Sequence, residues 1–428
     1  MIERTASIPL LVVIYPYNFD EFRYELYELD YFSVYCSVVV WDISLLVNRK
    51  FANLIVSKRS QRNNVFVVSK WLDLFRHIFE LRRQCITTAL YINNVSWHSN
   101  ASEFLTSLVL KLLMRKTNVT FIERVNGGIP LHYPVASTHG IPTKQPSAWL
   151  NKLPTFFTTL TSFTELKVRI NYYLFRALTR WLPPATTCRL VAGEHYMHQA
   201  LRQHPRTAKL VPGHSDDYSR FLINSLTPYA KPHTRNHAVY LDGGGPLFPG
   251  DGIQFGKKPS ETCERWYPSL TNFFQHLESE RILDVHIAGH YKSAHPPAPD
   301  YYGKRAVRYG MTVDLVRSSV LVIAGASTAI SYAVLFRKPL IFIFSNQSKF
   351  DTETMDCIRL MAALLACTPV NIDEPPWDFD SLLHVSEPHY RAYELACLTS
   401  AGPTRPNHQI ILEDIMKLTV SPTHSAPK

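Results

Sequence analysis

The stretch Val320-Leu-Val-Ile-Ala324-Gly325-Ala326-Ser327-Thr328-Ala329-Ile330 reads as a buried strand that turns through small side chains straight into a helix. Five apolar residues in a row, with no alternation, mark a strand covered on both faces, as in a parallel sheet. Small side chains at the turn let a ligand approach the backbone, and Ser327 or Thr328 is placed to cap the helix with its first N–H groups pointing outward. Beyond the carboxyl end of such a strand is where open α/β sheets bind phosphates. An ordinary βα turn with a Ser/Thr cap has the same spelling, and the stretch is not a P-loop, since no Gly-Lys-Ser/Thr follows a glycine run.

The pattern extends in both directions. Upstream, 238–241 and 284–288 read as strands and 260–277 and 313–318 as helices; downstream come helix 328–336, strand 340–344 and helix 353–365. The first half repeats it, with strands at 10–15, 38–41, 65–68, 89–92, 119–122, 190–192 and 209–211. Helices fall between them at 20–31, 45–54, 72–83 and 102–114, and another opens at Ser215-Asp216-Asp217. Regular βα alternation predicts parallel, doubly wound sheets, and 428 residues suit two domains. The polar stretch 230–236 divides them. The predicted fold is therefore α/β, with two doubly wound Rossmann-like domains, 1–235 and 236–428, facing a cleft. A further helix at 165–181 carries an apolar stripe and Lys167, Arg169, Arg176 and Arg180. It reads either as a core helix with a solvated basic face or as an interfacial helix on anionic lipid.

The net charge of +10 favours anionic partners. The basic residues are dispersed and no recognition motif accompanies them, which argues against nucleic acid. Seven cysteines without a C-x-x-C pair predict reduced thiols and neither a disulfide framework nor a zinc site. The longest apolar runs fall far short of the roughly 20 residues of a membrane span. With Met-Ile-Glu-Arg leading into a short strand pattern and no secretory h-region, the expectation is a soluble, cytoplasmic protein.

Two more loops share the edge defined by the opening stretch. Asp242-Gly243-Gly244-Gly245-Pro246, running on to Asp251-Gly252, gives a backbone free to wrap a ligand, with Asp251 as a carboxylate at the cleft mouth. Neither G-x-G-x-x-G nor a following helix start is present, so the dinucleotide fingerprint is absent. The run His286-Ile-Ala-Gly289-His290-Tyr-Lys292-Ser-Ala-His295-Pro296 follows the next strand. Lys292 with His290 or His295 suits the neutralisation of a diphosphate or a departing nucleotide phosphate without a metal. Both stretches also read as solvated loops. The three histidines do not share a helix, so no metal site is expected.

Together these residues resemble the GT-B glycosyltransferases, and among them the bacterial enzymes that use CMP-activated acidic sugars: sialyltransferases, polysialyltransferases and Kdo transferases of surface polysaccharide assembly. His295-Pro296, with Lys292 just upstream, matches the His-Pro motif of that group, and Ser327-Thr328 matches its Ser-Ser/Thr motif. The likeness covers about 240–345. It implies a metal-independent glycosyltransferase without a cofactor, its nucleotide-sugar donor held by the second domain. Ala326, Ser327, Thr328, Gly243, Gly244, His290, Lys292 and Pro296 would bind the donor, with His295 the proton donor as CMP leaves. The group's acid-acid-Gly motif aligns with Val125-Asn126-Gly127, where both acids are missing. The general base would then be Glu123 or Asp251, with Asp242 next. The acceptor, a glycan or lipid-linked glycan, would sit near Asn126, Gly127 and Gly128. Positive charge would favour peripheral association with the cytoplasmic face of the inner membrane. The missing acids keep open a catalytically inactive nucleotide-sugar or glycan-binding homologue, and a nucleotide-sugar epimerase shares the two-domain architecture.

Overall fold

A computed structural model of the chain describes residues 8–47, 49, 59–81, 87–91, 106, 109–110, 119–125, 177, 188–203, 209–225, 236–247, 260–290, 301–402 and 404–419. The linker at 230–235 lies outside the described residues, as does the basic helix at 165–181 apart from Ala177.

Two all-parallel sheets organise the chain. The first holds β1 (Leu10–Tyr15), β2 (Ser37–Asp42), β3 (Val65–Val67), β4 (Thr87–Tyr91), β5 (Val119–Val125), β6 (Cys188–Ala192) and β7 (Lys209–Gly213), in the order β3-β2-β1-β4-β5-β6-β7. The second holds β8 (His237–Leu241), β9 (Asp284–Gly289), β10 (Val307–Tyr309), β11 (Leu321–Ala324), β12 (Leu340–Phe344) and β13 (Val370–Asn371), in the order β10-β9-β8-β11-β12-β13. In each, the chain winds outward from the first strand, returns, and winds outward on the other side. Both sheets are therefore doubly wound and Rossmann-like.

Alternate residues explain why both faces are covered. Along β1, Leu11, Val13 and Tyr15 enter one core while Val12 and Ile14 enter the other. Along β8, Val239 and Leu241 face one core and Ala238 and Tyr240 the opposite one. A strand apolar at every position has nowhere else to put its side chains. The helix Cys263–Arg281 seals one face of the second sheet with Trp266, Tyr267, Leu270, Phe273, Phe274 and Leu277.

Local structure departs from expectation at several places. The single helix expected over 20–31 is two, Glu21–Leu26 and Leu29–Ser33, because Glu28 between them is left-handed at φ 60°. Its carboxylate there accepts both the N–H and the ring Nδ1–H of His408, at 2.9 and 2.6 Å. Strand β11 starts at Leu321, leaving Val320 exposed before it. The chain's last described helical turns, Asn407–Ile410 and Ile411–Ile415, return to the first sheet, where Ile410, Ile411 and Leu412 join its core. On the way Thr399 bridges to His214, and Gly193, at φ 78°, lies so close to Ala396 that a Cβ would run into its carbonyl.

Candidate functional site

In the second sheet β8 lies between β9 and β11, so the connections leaving its carboxyl edge diverge to opposite faces. The crevice beyond that point is where open α/β sheets receive ligands. Register places the loops: Leu241 pairs with Ala324 on one side and Ala288 on the other. Asp242, Gly325 and Gly289 are thus level, and His290 follows directly. The structure brings together Asp242, Gly243, Gly244 and His290 at the ends of β8 and β9, with Ala326, Ser327 and Thr328 beyond the end of β11.

Asp242 organises the first of these loops. Its Oδ1 accepts the Gly244 N–H at 2.8 Å and its Oδ2 the His290 N–H at 3.4 Å, while the Tyr302 hydroxyl also bonds to it. Burial pushes its carboxyl above the usual range, against the pull of those donors. Tyr240, Tyr267, Tyr302 and Tyr309 surround it closely enough to feel its charge. Gly244 and Gly245 take φ of 88° and 45°, the left-handed turn that lets the chain fold back over the carboxylate. Gly289 serves a different need: a Cβ there would stand 2.5 Å from the Tyr309 ring. Its absence lets that ring lie across the strand end beside His290. Gly243 is exposed, and a Cβ there would meet nothing within 4 Å among the described residues.

The turn after β11 differs in detail from the expected cap. The helix spans only Ile330–Leu335, and Ala329, not Ser327 or Thr328, is its N-cap. The Ser327 hydroxyl instead accepts the Ala329 N–H at 3.3 Å, tightening the turn within the loop. The Thr328 carbonyl accepts the Ser331 N–H at 3.1 Å, with the Ser331 Oγ 2.8 Å away. Thr328 is exposed, and Ala326 and Ser327 are half-buried.

Glu123 lies on β5 of the first sheet, opposite Arg189 of β6. Its Oε2 accepts the Arg189 Nε–H at 3.0 Å, and the residue is 5% exposed. Asn126, Gly127, Gly128, Asp251, Lys292, His295 and Pro296 lie outside the described residues.

Sequence reading missed one carboxylate at this edge. Glu261, just before the helix Cys263–Arg281, accepts the Ser345 hydroxyl at 3.1 Å beyond the end of β12. Burial pushes it up to about 7, although Ser345 and Ser348 bond to it. It is a group poised to exchange a proton near neutrality. Its only sequence signal was a Ser-Glu-Thr at a helix start. Among the described residues no three His, Cys, Asp or Glu side chains gather as a metal site, and no helix is long and apolar enough to cross a membrane.

No family model matches the chain, and no curated protein matches it in sequence. Its fold is similar to that of spinosyn forosaminyltransferase SpnP, at 12% identity over 96% of this chain and 99% of that one, with a TM-score of 0.44. It is likewise similar to MurG of Acinetobacter baumannii, at 10% identity over 96% and 100% of the two chains, TM-score 0.43. A putative UDP-N-acetylglucosamine 2-epimerase from Listeria monocytogenes aligns at 9% identity over 96% of both, TM-score 0.45. The strand order and two-faced burial establish the two Rossmann-like domains independently of these likenesses.

Proposed function

We propose that the chain is a glycosyltransferase that moves a sugar from a nucleotide donor to a glycan or lipid-linked glycan. The observation that carries this reading is the strand order of the second sheet, which brings the ends of β8, β9 and β11, and with them Asp242, Gly289 and Gly325, level at its carboxyl edge. The His295-Pro296 and Ser327-Thr328 motifs support a CMP-activated acidic sugar as the donor. Backbone N–H groups of the glycine and Gly325–Thr328 loops would hold the donor phosphate. His295 and Lys292 would neutralise the charge that develops as CMP leaves, with His295 giving its proton.

The carboxylates then separate by environment. Asp242 is engaged in holding its own loop, so its first role is to support that loop. Glu123 holds Arg189 through Oε2, and it and Asp251 are the two candidates for the base that takes the acceptor hydroxyl's proton. The acceptor would lie near Asn126–Gly128, and the net charge of +10 supports an anionic membrane face as its setting.

The test is CMP release from CMP-activated acidic sugars, with lipid-linked glycan acceptors supplied in vesicles. Release that depends on acceptor and falls by about 100-fold or more in His295→Ala supports the reading. A protein that binds the donor but transfers to no acceptor would be the inactive homologue instead. Turnover of a UDP-sugar to its 2-epimer would replace the reading with an epimerase.

A further inference from the structure

The helix Asp216–Ser225 follows the last strand of the first sheet, yet its side chains divide between the two domains. Ser215 caps it, its Oγ accepting the Tyr218 N–H at 3.2 Å. Two carboxylates follow in the first turn, where the helix dipole favours them. Successive helical side chains point about 100° apart, so neighbours can serve different partners. Asp216 pairs with Arg124 on β5 of the first sheet. Asp217 accepts the hydroxyl of Ser331 and bonds the hydroxyl of Tyr332, both on the short helix of the second domain. Farther along, Tyr218 enters the second domain's core, and the Phe221 ring meets that of Phe336 at 5.2 Å.

Ser331 does not end the chain of contacts. Its N–H donates to the carbonyl oxygen of Thr328 at 3.1 Å, in the turn beyond β11, which leaves its single hydroxyl proton for Asp217. The helix after that turn has six residues and no side-chain cap of its own, and within the turn the Ser327 hydroxyl accepts the Ala329 N–H.

We propose that Asp217 is a positioning residue for the donor loop: through Ser331 it holds Thr328, keeping the Gly325–Thr328 backbone in the shape that receives the donor phosphate and tying that shape to the placement of the first domain. This rests on the reading of the crevice as a nucleotide site. The adjacent pair makes the coupling mechanical. Asp216 anchors the helix start to β5, beside Glu123, while Asp217 holds the first turn of the short helix that follows the Gly325–Thr328 loop. A first domain that shifts against the second must pull on Thr328 or break the Asp217–Ser331 bond.

The test compares wild type with Asp217→Ala, Asp217→Asn, Ser331→Ala and the double variant Asp217→Ala/Ser331→Ala. CMP and UDP are titrated calorimetrically, and hydrogen exchange is followed at amides 325–331. Each alanine variant is expected to weaken nucleotide binding by about tenfold, with the double variant no worse than the weaker single one, as for two members of one network. Exchange at 325–331 should quicken by a similar factor while the amides of β8 and β12 stay protected. Asp217→Asn, which keeps an acceptor for Ser331, should recover most of the loss. Additive losses in the double variant, or unchanged exchange at 325–331, overturn the proposal. If Asp217→Ala does not fold, Ser331→Ala and Asp217→Asn decide it on the same two readouts. If wild type binds neither nucleotide, the donor-site reading falls, and the exchange data alone show whether Asp217 holds the turn.

Discussion

Replacing Asp242 with alanine probes the crevice where its geometry is best defined. The substitution removes the acceptor of the Gly244 N–H at 2.8 Å, of the His290 N–H at 3.4 Å and of the Tyr302 hydroxyl. A buried donor left without a partner costs about 1–3 kcal/mol, and the 3.4 Å contact, at the long limit, contributes little. The loss is therefore about 2–6 kcal/mol in acid, where the carboxyl is protonated and its burial costs little. Burial raises its folded pKa above the ordinary 3.8, so between those two values the folded protein holds a proton that the unfolded chain has released. Asp242's contribution is then complete below 3.8 and declines as pH rises through the folded value. The cost of Asp242→Ala should accordingly be greatest near pH 4 and smaller at pH 8. Urea unfolding of both proteins at the two pH values measures the difference, and nucleotide titration should show weakened binding as the Gly243–Gly245 loop loosens. A penalty that grows with pH, or a variant that unfolds and binds as wild type does, would refute this reasoning.

Glu261, raised to about 7 from an ordinary 4.5, makes wild-type stability fall as pH rises from 4.5 through 7. Glu261→Gln should flatten that slope by on the order of 3 kcal/mol, read from urea midpoints between pH 4.5 and 8. His408→Ala removes the ring that faces the buried Glu28 carboxylate, 2% exposed at its side chain. A cost of about 3–5 kcal/mol is expected, partly recovered in the double variant with Glu28→Gln; denaturant melts that match wild type would contradict it. Gly193→Ala combines a φ of 78° with a Cβ driven into Ala396, and should cost more than about 3 kcal/mol by thermal unfolding. Gly243→Ala, whose added Cβ meets nothing within 4 Å among the described residues, should leave the melting temperature unchanged, so any loss of nucleotide binding there reports contact with the ligand.

Much of the fold was legible because a parallel strand covered on both faces can be written only in apolar residues. Strands β1 and β12 end where their apolar runs end. Strands β10 and β13 were not legible: Val307–Tyr309 is a half-exposed edge, and Val370–Asn371 is two residues long. Periodicity also ran straight through the break at Glu28, since Tyr24, Tyr27, Leu29 and Phe32 bury into one core on both sides of it. The glycine loop and the Ser327-Thr328 turn were readable as site candidates from small residues placed after strands. What those residues bond to was not. Arg189 meets Glu123 only through strand register, 66 positions away, and Asp217 meets Ser331 across 114. In the sequence, Asp216-Asp217 is simply a favourable first turn. Tyr302 likewise gives no sign, on its own, of reaching Asp242.

The most direct test of a nucleotide-sugar donor site is a calorimetric titration of the purified protein with CMP, UDP and GDP, with and without magnesium. The predicted result is binding of CMP, indifferent to magnesium and weakened by His295→Ala and by Ser327→Ala/Thr328→Ala. A preference for UDP would keep the site and change the donor class. Binding of none of the three would contradict the donor site itself.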